Sequence, residues 1–487
     1  MPAFCLDSQD MFDRCREAVE IARLSGAIYA DCRVVYLRRQ EIAVEDDRPE
    51  QISETESCGI GVRVAHAGGW GFAATPYLER NAIAAAADQA LAMARAACRA
   101  APDLGWAEEP PARGIFETPV QIDPFAVSLD EKISLLLAIS RAARAIKGVR
   151  KCQGGMQFKC EHRFFVNSEN AEVESRGITS AAKYVITAVD EHTAKTRYFE
   201  AYPLNAGYEH IRAMPLLEQA PRVAEEAVRK LRGRPCPKGR RDLVLLPSHL
   251  ALTMHESIGH ATELDRVLGM EESLAGSSFA TVDLLGKLRY GSAAMNILCD
   301  NTMPQGLATR GWDDDGVAGQ RWHIIRDGIL IDYQTSRQVC RAIGSRRSRG
   351  SCRADSWASV PIVRQSNLGL EPGPEPLTLE EMIADVKEGI LIDGMGSFSI
   401  DQRRLNFQFG GDAFWEIRRG KIGEMLADAT YRAITTEFWG SLDAVCDRRF
   451  WEPRGVMNCG KGDPMQIAQM THGSAPARFR KICVGDA

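Results

Sequence analysis

The chain has 487 residues, 45% of them hydrophobic and 26% charged, with a formal net charge of −5 at pH 7. This is the composition of a globular protein too long for one ordinary core, so two or three domains are expected. The negative balance offers no electrostatic footprint for nucleic acid, and no stretch approaches the roughly 18 uncharged apolar residues of a membrane-spanning helix.

Met1-Pro2-Ala3-Phe4-Cys5-Leu6-Asp7 has neither the basic nor the apolar segment of a secretory leader, which points to a cytoplasmic protein. Ser8 reads as the cap of a helix over 10–24 that Gly26 stops. The pattern then turns to β in Cys32-Arg33-Val34-Val35-Tyr36, Glu41-Ile42-Ala43-Val44 and Gly59-Ile60-Gly61-Val62-Arg63-Val64, with Gly68-Gly69 as a hairpin turn. An alanine-rich helix follows over 78–99, then a proline-rich linker near 102–120 holding Pro102, Pro110, Pro111 and Pro119. A helix over 129–146, several strands to about Tyr202 and a helix over 221–231 complete this half.

The polar stretch 233–241, with Pro235 and Pro237, reads as a linker between an N-terminal α+β domain, 1–232, and a C-terminal domain, 242–487. The second half opens on an apolar strand, Leu243-Val244-Leu245-Leu246, and then shows short strands, turns and one clear helix over 378–386. The predicted fold class is therefore α+β in two domains, mixed α/β layers followed by a strand-rich domain. The fourteen cysteines contain no CxxC pair and form no disulfide framework; most read as small buried apolar residues.

The chemistry concentrates in His255-Glu256-Ser257-Ile258-Gly259-His260, on the helix after that first strand. A hydrolytic zinc site needs two or three ligands holding the ion open on one side and a carboxylate to take a proton from its water. Histidines at i and i+4 share a helix face, but these stand at i and i+5, roughly 140° apart on a regular helix. The spacing therefore predicts a distorted helix, a π-bulge or a kink at Gly259. Glu263 and Asp265 follow closely; Glu263 reads equally as a partner of a ligand histidine and as a solvated or capping carboxylate.

With these residues in hand the chain resembles the TldD/PmbA family of metallopeptidases, also called the gyrase-modulator family, and its zinc-bearing TldD-type member in particular. The likeness rests on His255-Glu256-Ser257-Ile258-Gly259-His260-Ala261-Thr262-Glu263, on the glycine-rich segments 59–64 and 71–75, and on Asn458-Cys459-Gly460-Lys461-Gly462. It implies His255, His260 and Cys459 as ligands of a zinc ion and Glu256 as the base that activates the zinc-bound water. It also implies small or unfolded peptides as substrates and a dimer, formed with itself or with a PmbA-type partner.

An extended peptide would pair with a sheet edge, for which Ser397-Phe398-Ser399-Ile400 and Leu405-Asn406-Phe407-Gln408-Phe409 are candidates against the plainer reading as core strands. Two other classes stay open: a non-catalytic peptide-binding or regulatory subunit, which the intact ligand set argues against, and a hydrolase of non-peptide amides. Arg346-Arg347-Ser348-Arg349 reads as a surface loop, Trp312-Asp313-Asp314-Asp315-Gly316 as an acidic turn that lacks the terminal glutamate of an EF-hand, and His323, His472 and Cys352 as structural.

Overall fold

The computed structural model of the protein describes residues 6–98 and 105–485. Positions 1–5, Arg99 at the end of the second predicted helix and Pro102 of the predicted linker lie outside them.

One long, mainly antiparallel sheet organises the first half. Its order runs Gly69–Thr75, Arg48–His66, Tyr29–Glu45, Val149–Asn167, Glu172–Val189, and the last strand pairs further with Ala194–Leu204 and with Arg113–Glu117. The separate β runs at 32–36 and 41–44 are one strand: residues 29–37 are buried on both faces and only from Gln40 onward does burial alternate, so the change of pattern, not a break in the strand, separates the runs. Ser8–Leu24 and Arg80–Ala97 cover one part of the sheet, and Leu129–Arg144 and Leu216–Leu231 cover another. The alanine-rich helix sits very close to its strand: a Cβ on Gly71 would lie 1.9 Å from the Ala90 carbonyl oxygen. The glycines of this hairpin serve close packing on both sides: a Cβ on Gly59 would lie 2.4 Å from the Trp357 ring and one on Gly61 2.3 Å from the Trp357 carbonyl oxygen, both in the second half.

Three local expectations need correcting. The first helix begins at Ser8 and is capped by the Asp7 side chain, which accepts from the Asp10 N–H at 2.8 Å. The proline-rich stretch contains a strand, Arg113–Glu117, running parallel to Glu172–Val189; it is mostly exposed, so it lacks the apolar alternation by which a strand is recognised. The helix read over 221–231 starts a turn earlier, at Leu216, and takes Pro221 into its N-terminal part.

The second half is strand-rich. A ten-stranded sheet holds Gly239–Leu245 near its middle, parallel to Glu388–Asp393 and antiparallel to Ala477–Val484. A six-stranded sheet ends on Gln466–Ser474 and, outermost, Glu452–Lys461. The largest apolar core draws side chains from both sheets and from the helix Pro247–Met254. The polar stretch 233–241 contains the short strand Arg234–Pro235 and the start of Gly239–Leu245.

The acidic triplet is buried and joins the halves. Asp314 meets Arg33 at 3.3 Å and Arg163 at 2.6 Å, and Asp315 meets Arg63 at 2.8 Å. The cysteines described are all free, most of them buried. Among the described residues no helix is long and apolar enough to cross a membrane.

Candidate metal centre

The central strand Gly239–Leu245 delivers the chain to Pro247, which opens the helix Pro247–Met254 at a position where a missing N–H costs nothing. At His255 the helix widens. Residues His255–Gly259 form a π-turn in which the His260 N–H donates to the His255 carbonyl, and a 3₁₀ turn, His260–Thr262, follows. The wider turn absorbs the extra residue of the motif. The rings of His255 and His260 come within 4.8 Å, centroid to centroid, at 80° to each other.

Side chains from elsewhere satisfy the carbonyls of this irregular turn. Gln365 donates to the His255 oxygen at 3.2 Å, Gln334 to the Gly259 oxygen at 2.8 Å, and the Tyr290 hydroxyl to the Ser257 oxygen. Glycine is required at 259: a Cβ there would lie 1.9 Å from Oε1 of the fully buried Gln365. Gly259→Ala is therefore expected to displace Gln365 and shift His255 against His260. A displaced ligand support typically costs 10–100-fold in metal affinity, so zinc titration followed by atomic absorption should show weaker binding, while circular dichroism stays close to wild type.

Cys459 reaches this pair from the outer strand of the six-stranded sheet. The donor atoms of His255, His260 and Cys459 all lie within 4.8 Å of one another, and all three residues are buried. Cys459 Sγ stands 3.6 Å from His260 Nε2. Two tetrahedral ligands at zinc distances of about 2.1 Å to nitrogen and about 2.3 Å to sulfur would lie about 3.6 Å apart. Each imidazole has its Nδ1 engaged outside the cluster: His255 Nδ1 with His472 Nε2 at 2.8 Å, and His260 Nδ1 with Glu263 Oε2 at 2.9 Å. That leaves Nε2 of both rings for an ion, the arrangement in which an outer partner sets tautomer and orientation. Burial lowers the pKa of both imidazoles, favouring the neutral, ligating form. Burial would raise the Cys459 thiol, but His260 and the Arg364 guanidinium, 3.2 Å from Sγ, outweigh it and favour thiolate. The donor chemistry and spacing fit a zinc ion.

The carboxylates divide by environment. Glu256 is 6% exposed and accepts from Arg404 Nη1 at 2.6 Å. Glu263 is neither solvated nor a side-chain cap; it is fully buried against His260. Burial alone would raise its pKa, but Lys461, His260 and Arg266 hold it well below the usual carboxylate range. Lys461 Nζ bonds Asp265 at 2.7 Å and lies 3.4 Å from Glu263 Oε1. Asp265, Glu263 and Lys461 thus form a buried support behind His260.

Sequence reasoning brought forward His255, Glu256, His260, Glu263 and Cys459, and the fold gathers all of them. It passed over Arg364 and Arg404, read His472 as structural, and quoted Lys461 without giving it a role. Only Lys461 had a signal, its place in Cys459-Gly460-Lys461. Of the residues read as structural, His472 sits at the centre, whereas His323 pairs with Glu371 at 3.1 Å and Cys352 lies in a short hairpin.

An α+β chain in which two histidines of a π-distorted helix meet a cysteine from a neighbouring strand, backed by buried carboxylates, defines the class: a protein with a donor set that could hold a metal ion beside an acidic side chain. The chain belongs to the PmbA/TldD family of metallopeptidases. Models described as PmbA/TldA metallopeptidase domain 1, central domain and C-terminal domain match residues 30–94, 122–234 and 238–480. A metalloprotease of Methanocaldococcus jannaschii is 27% identical over 420 residues, covering 86% of this chain and 89% of that one. A zinc metalloprotease TldD homolog of Saccharolobus solfataricus is 23% identical over 485 residues, covering 98% and 99%. In fold, TldE from Thermococcus kodakarensis superposes with a TM-score of 0.74 at 18% identity over 98% of this chain and 100% of that one. A Thermotoga maritima protein described as a modulator of a DNA gyrase gives 0.77 at 16%, over 97% and 100%.

Proposed function

We propose that the protein is a zinc-dependent peptidase of small or unfolded peptides, with His255, His260 and Cys459 as ligands and Glu256 as general base. The observation that carries this is that the donor atoms of His255, His260 and Cys459 lie within 4.8 Å of one another, with Nδ1 of each ring engaged outside the cluster and Glu256 adjoining the first ligand. A zinc ion in such a set supplies a Lewis acid that lowers the pKa of a water and polarises a carbonyl. Glu256 takes the proton of the attacking water and delivers it to the leaving amine. Glu263 and His472 hold the two imidazoles in the ligating tautomer.

An extended peptide would pair with the outer strand Phe398–Ile400, whose Phe398 is 55% exposed. The neighbouring candidate, 405–409, falls largely on Asn406–Gly410, which is paired on both sides and offers no edge. A groove of about 660 Å³ is lined chiefly by the N-terminal sheet, at Glu41–Ala43, Gln153–Gln157 and Ala181–Lys183, and reaches Met395 and Val456–Asn458 of the second half. Backbone pairing at the edge strand would accept many sequences and exclude folded proteins. We read residues 1–232 and 242–487 as separate domains joined through 233–241, and the working form as a dimer with a second copy or a PmbA-type partner. The intact donor set speaks against a non-catalytic subunit.

Chelation and readdition test the reading. Purified protein should hold about one zinc per chain, lose cleavage of a short unstructured peptide on chelation, and regain it with zinc. A zinc-free protein that binds no added zinc, or cleavage that survives chelation, would overturn it.

A further inference from the structure

The loop Asp401–Leu405 follows the edge strand Phe398–Ile400 and carries a cation into the centre. It is firmly held. The Asp401 carboxylate accepts from the N–H groups of Leu405 and Asn406 at 2.9 and 3.0 Å. The Arg403 carbonyl accepts from the Phe279 N–H at 2.9 Å, and the Arg404 carbonyl from the Thr435 hydroxyl at 2.8 Å. Arg404 itself stands at φ 64°, a left-handed conformation that a residue with a side chain adopts only when its surroundings impose it.

The side chain so placed is 14% exposed and makes one ion pair, from Nη1 to Glu256 at 2.6 Å. Its buried Nε–H has no acceptor among the described residues. A buried donor left unpaired costs about 1–3 kcal/mol, and such a group calls for a partner supplied by something else. The carboxylate it meets belongs to Glu256, the residue next to His255 of the donor cluster, so the guanidinium stands beside the base at the edge of the centre.

Resting on the peptidase reading above, we propose that Arg404 is a catalytic residue that binds the oxygen of the scissile carbonyl and stabilises the charge that develops on it. In the step, the water oxygen bonds to the carbonyl carbon while its proton passes to Glu256. The carbonyl π pair moves onto the oxygen, where the N–H groups of Arg404 meet it. As the C–N bond breaks, the pair returns to re-form the carbonyl and the proton leaves on the amine nitrogen. A donor fixed in advance where negative charge appears acts most strongly in a site that excludes water. The loop continues the strand on which the peptide would pair, so substrate and cation share one frame.

The test compares Arg404→Ala and Arg404→Lys with the wild type, all zinc-loaded and checked for fold by circular dichroism. Arg404→Ala should lower kcat by about 10²–10³-fold with KM changed by no more than about 3-fold and zinc content unchanged. Guanidinium chloride below denaturing concentration should restore part of the lost rate, and Arg404→Lys should retain more activity than the alanine variant. A phosphinic peptide, which mimics the tetrahedral state, should bind Arg404→Ala about 100-fold more weakly by calorimetry. Wild-type activity in Arg404→Ala would overturn the proposal. So would a loss that guanidinium does not rescue together with unchanged phosphinic-peptide affinity, because that result assigns Arg404 to holding Glu256. If zinc-loaded wild type cleaves nothing, the peptidase reading fails; an undiminished phosphinic-peptide affinity in Arg404→Ala then still rejects the role of Arg404 by itself.

Discussion

Glu256→Gln is expected to keep its zinc and lose peptide cleavage by about 10²–10⁴-fold, the usual contribution of a positioned proton-transfer group. Glu256 stands outside the His255, His260 and Cys459 donor cluster, so the metal content should not change. Glutamine preserves the shape and leaves an amide oxygen to accept from Arg404 Nη1, where glutamate accepts at 2.6 Å. Alanine would strand that guanidinium, which is 14% exposed, without its acceptor and mix a structural effect with the chemical one. The comparison therefore needs kcat, zinc stoichiometry and thermal unfolding on the same preparations. Retention of cleavage within a few-fold of wild type would remove Glu256 from the proton-transfer role, and loss of zinc would make it part of the binding site.

The motif helix shows why part of this centre could be read early. Two histidines at i and i+5 have one economical way to share a face, a turn of wider pitch, and the π-turn His255–Gly259 is that turn. The reason the turn is stable was not legible. It rests on Gln334 and Gln365, which lie 75 and 110 residues from the carbonyls they reach. The same holds for Cys459, which bonds His260 across 199 residues, and for His472, which meets His255 across 217. No local pattern marks such partners. Cys459 was reached only through family likeness, and the contacts of Arg404 with Glu256 and of Lys461 with Asp265 depend on how distant segments close over one helix.

Strands and linkers were confused for a related reason. Polar, proline-bearing segments read as connectors, yet Arg113–Glu117 and Arg234–Pro235 are strands whose hydrogen bonds come from Glu172–Val189 and Lys421–Ala427. Their side chains are mostly exposed, so pairing rather than apolar patterning makes them strands. The buried strands of the second half behaved oppositely. Gly239–Leu245 lies between two others near the middle of its sheet, and its Leu243-Val244-Leu245 run was plain in the sequence.

Asp314→Asn should be the most damaging single change outside the metal centre, lowering stability by about 3–5 kcal/mol as expected when one partner of a buried charge pair is removed. The Asp314 carboxylate receives Arg33 and Arg163 of the N-terminal sheet together with the Ala354 N–H at 2.7 Å. The Arg33 side chain is 0% and that of Arg163 5% exposed, so neither can turn to water when the charge is lost. Burial by itself would raise the Asp314 pKa, but Arg163, Arg33 and Arg310 win and hold it at about 2. A carboxylate depressed in the folded state adds stability above its ordinary pKa of 3.8, and that stability drains away as pH falls toward about 2. Wild-type protein should therefore lose stability between about pH 4 and pH 2, and Asp314→Asn should lose less over that window, having forfeited the contribution at every pH. Urea unfolding followed at several pH values, with proteolysis across the two halves, reads both effects. Equal pH slopes in the two proteins would show that this carboxylate is not what ties the acidic loop to the N-terminal sheet.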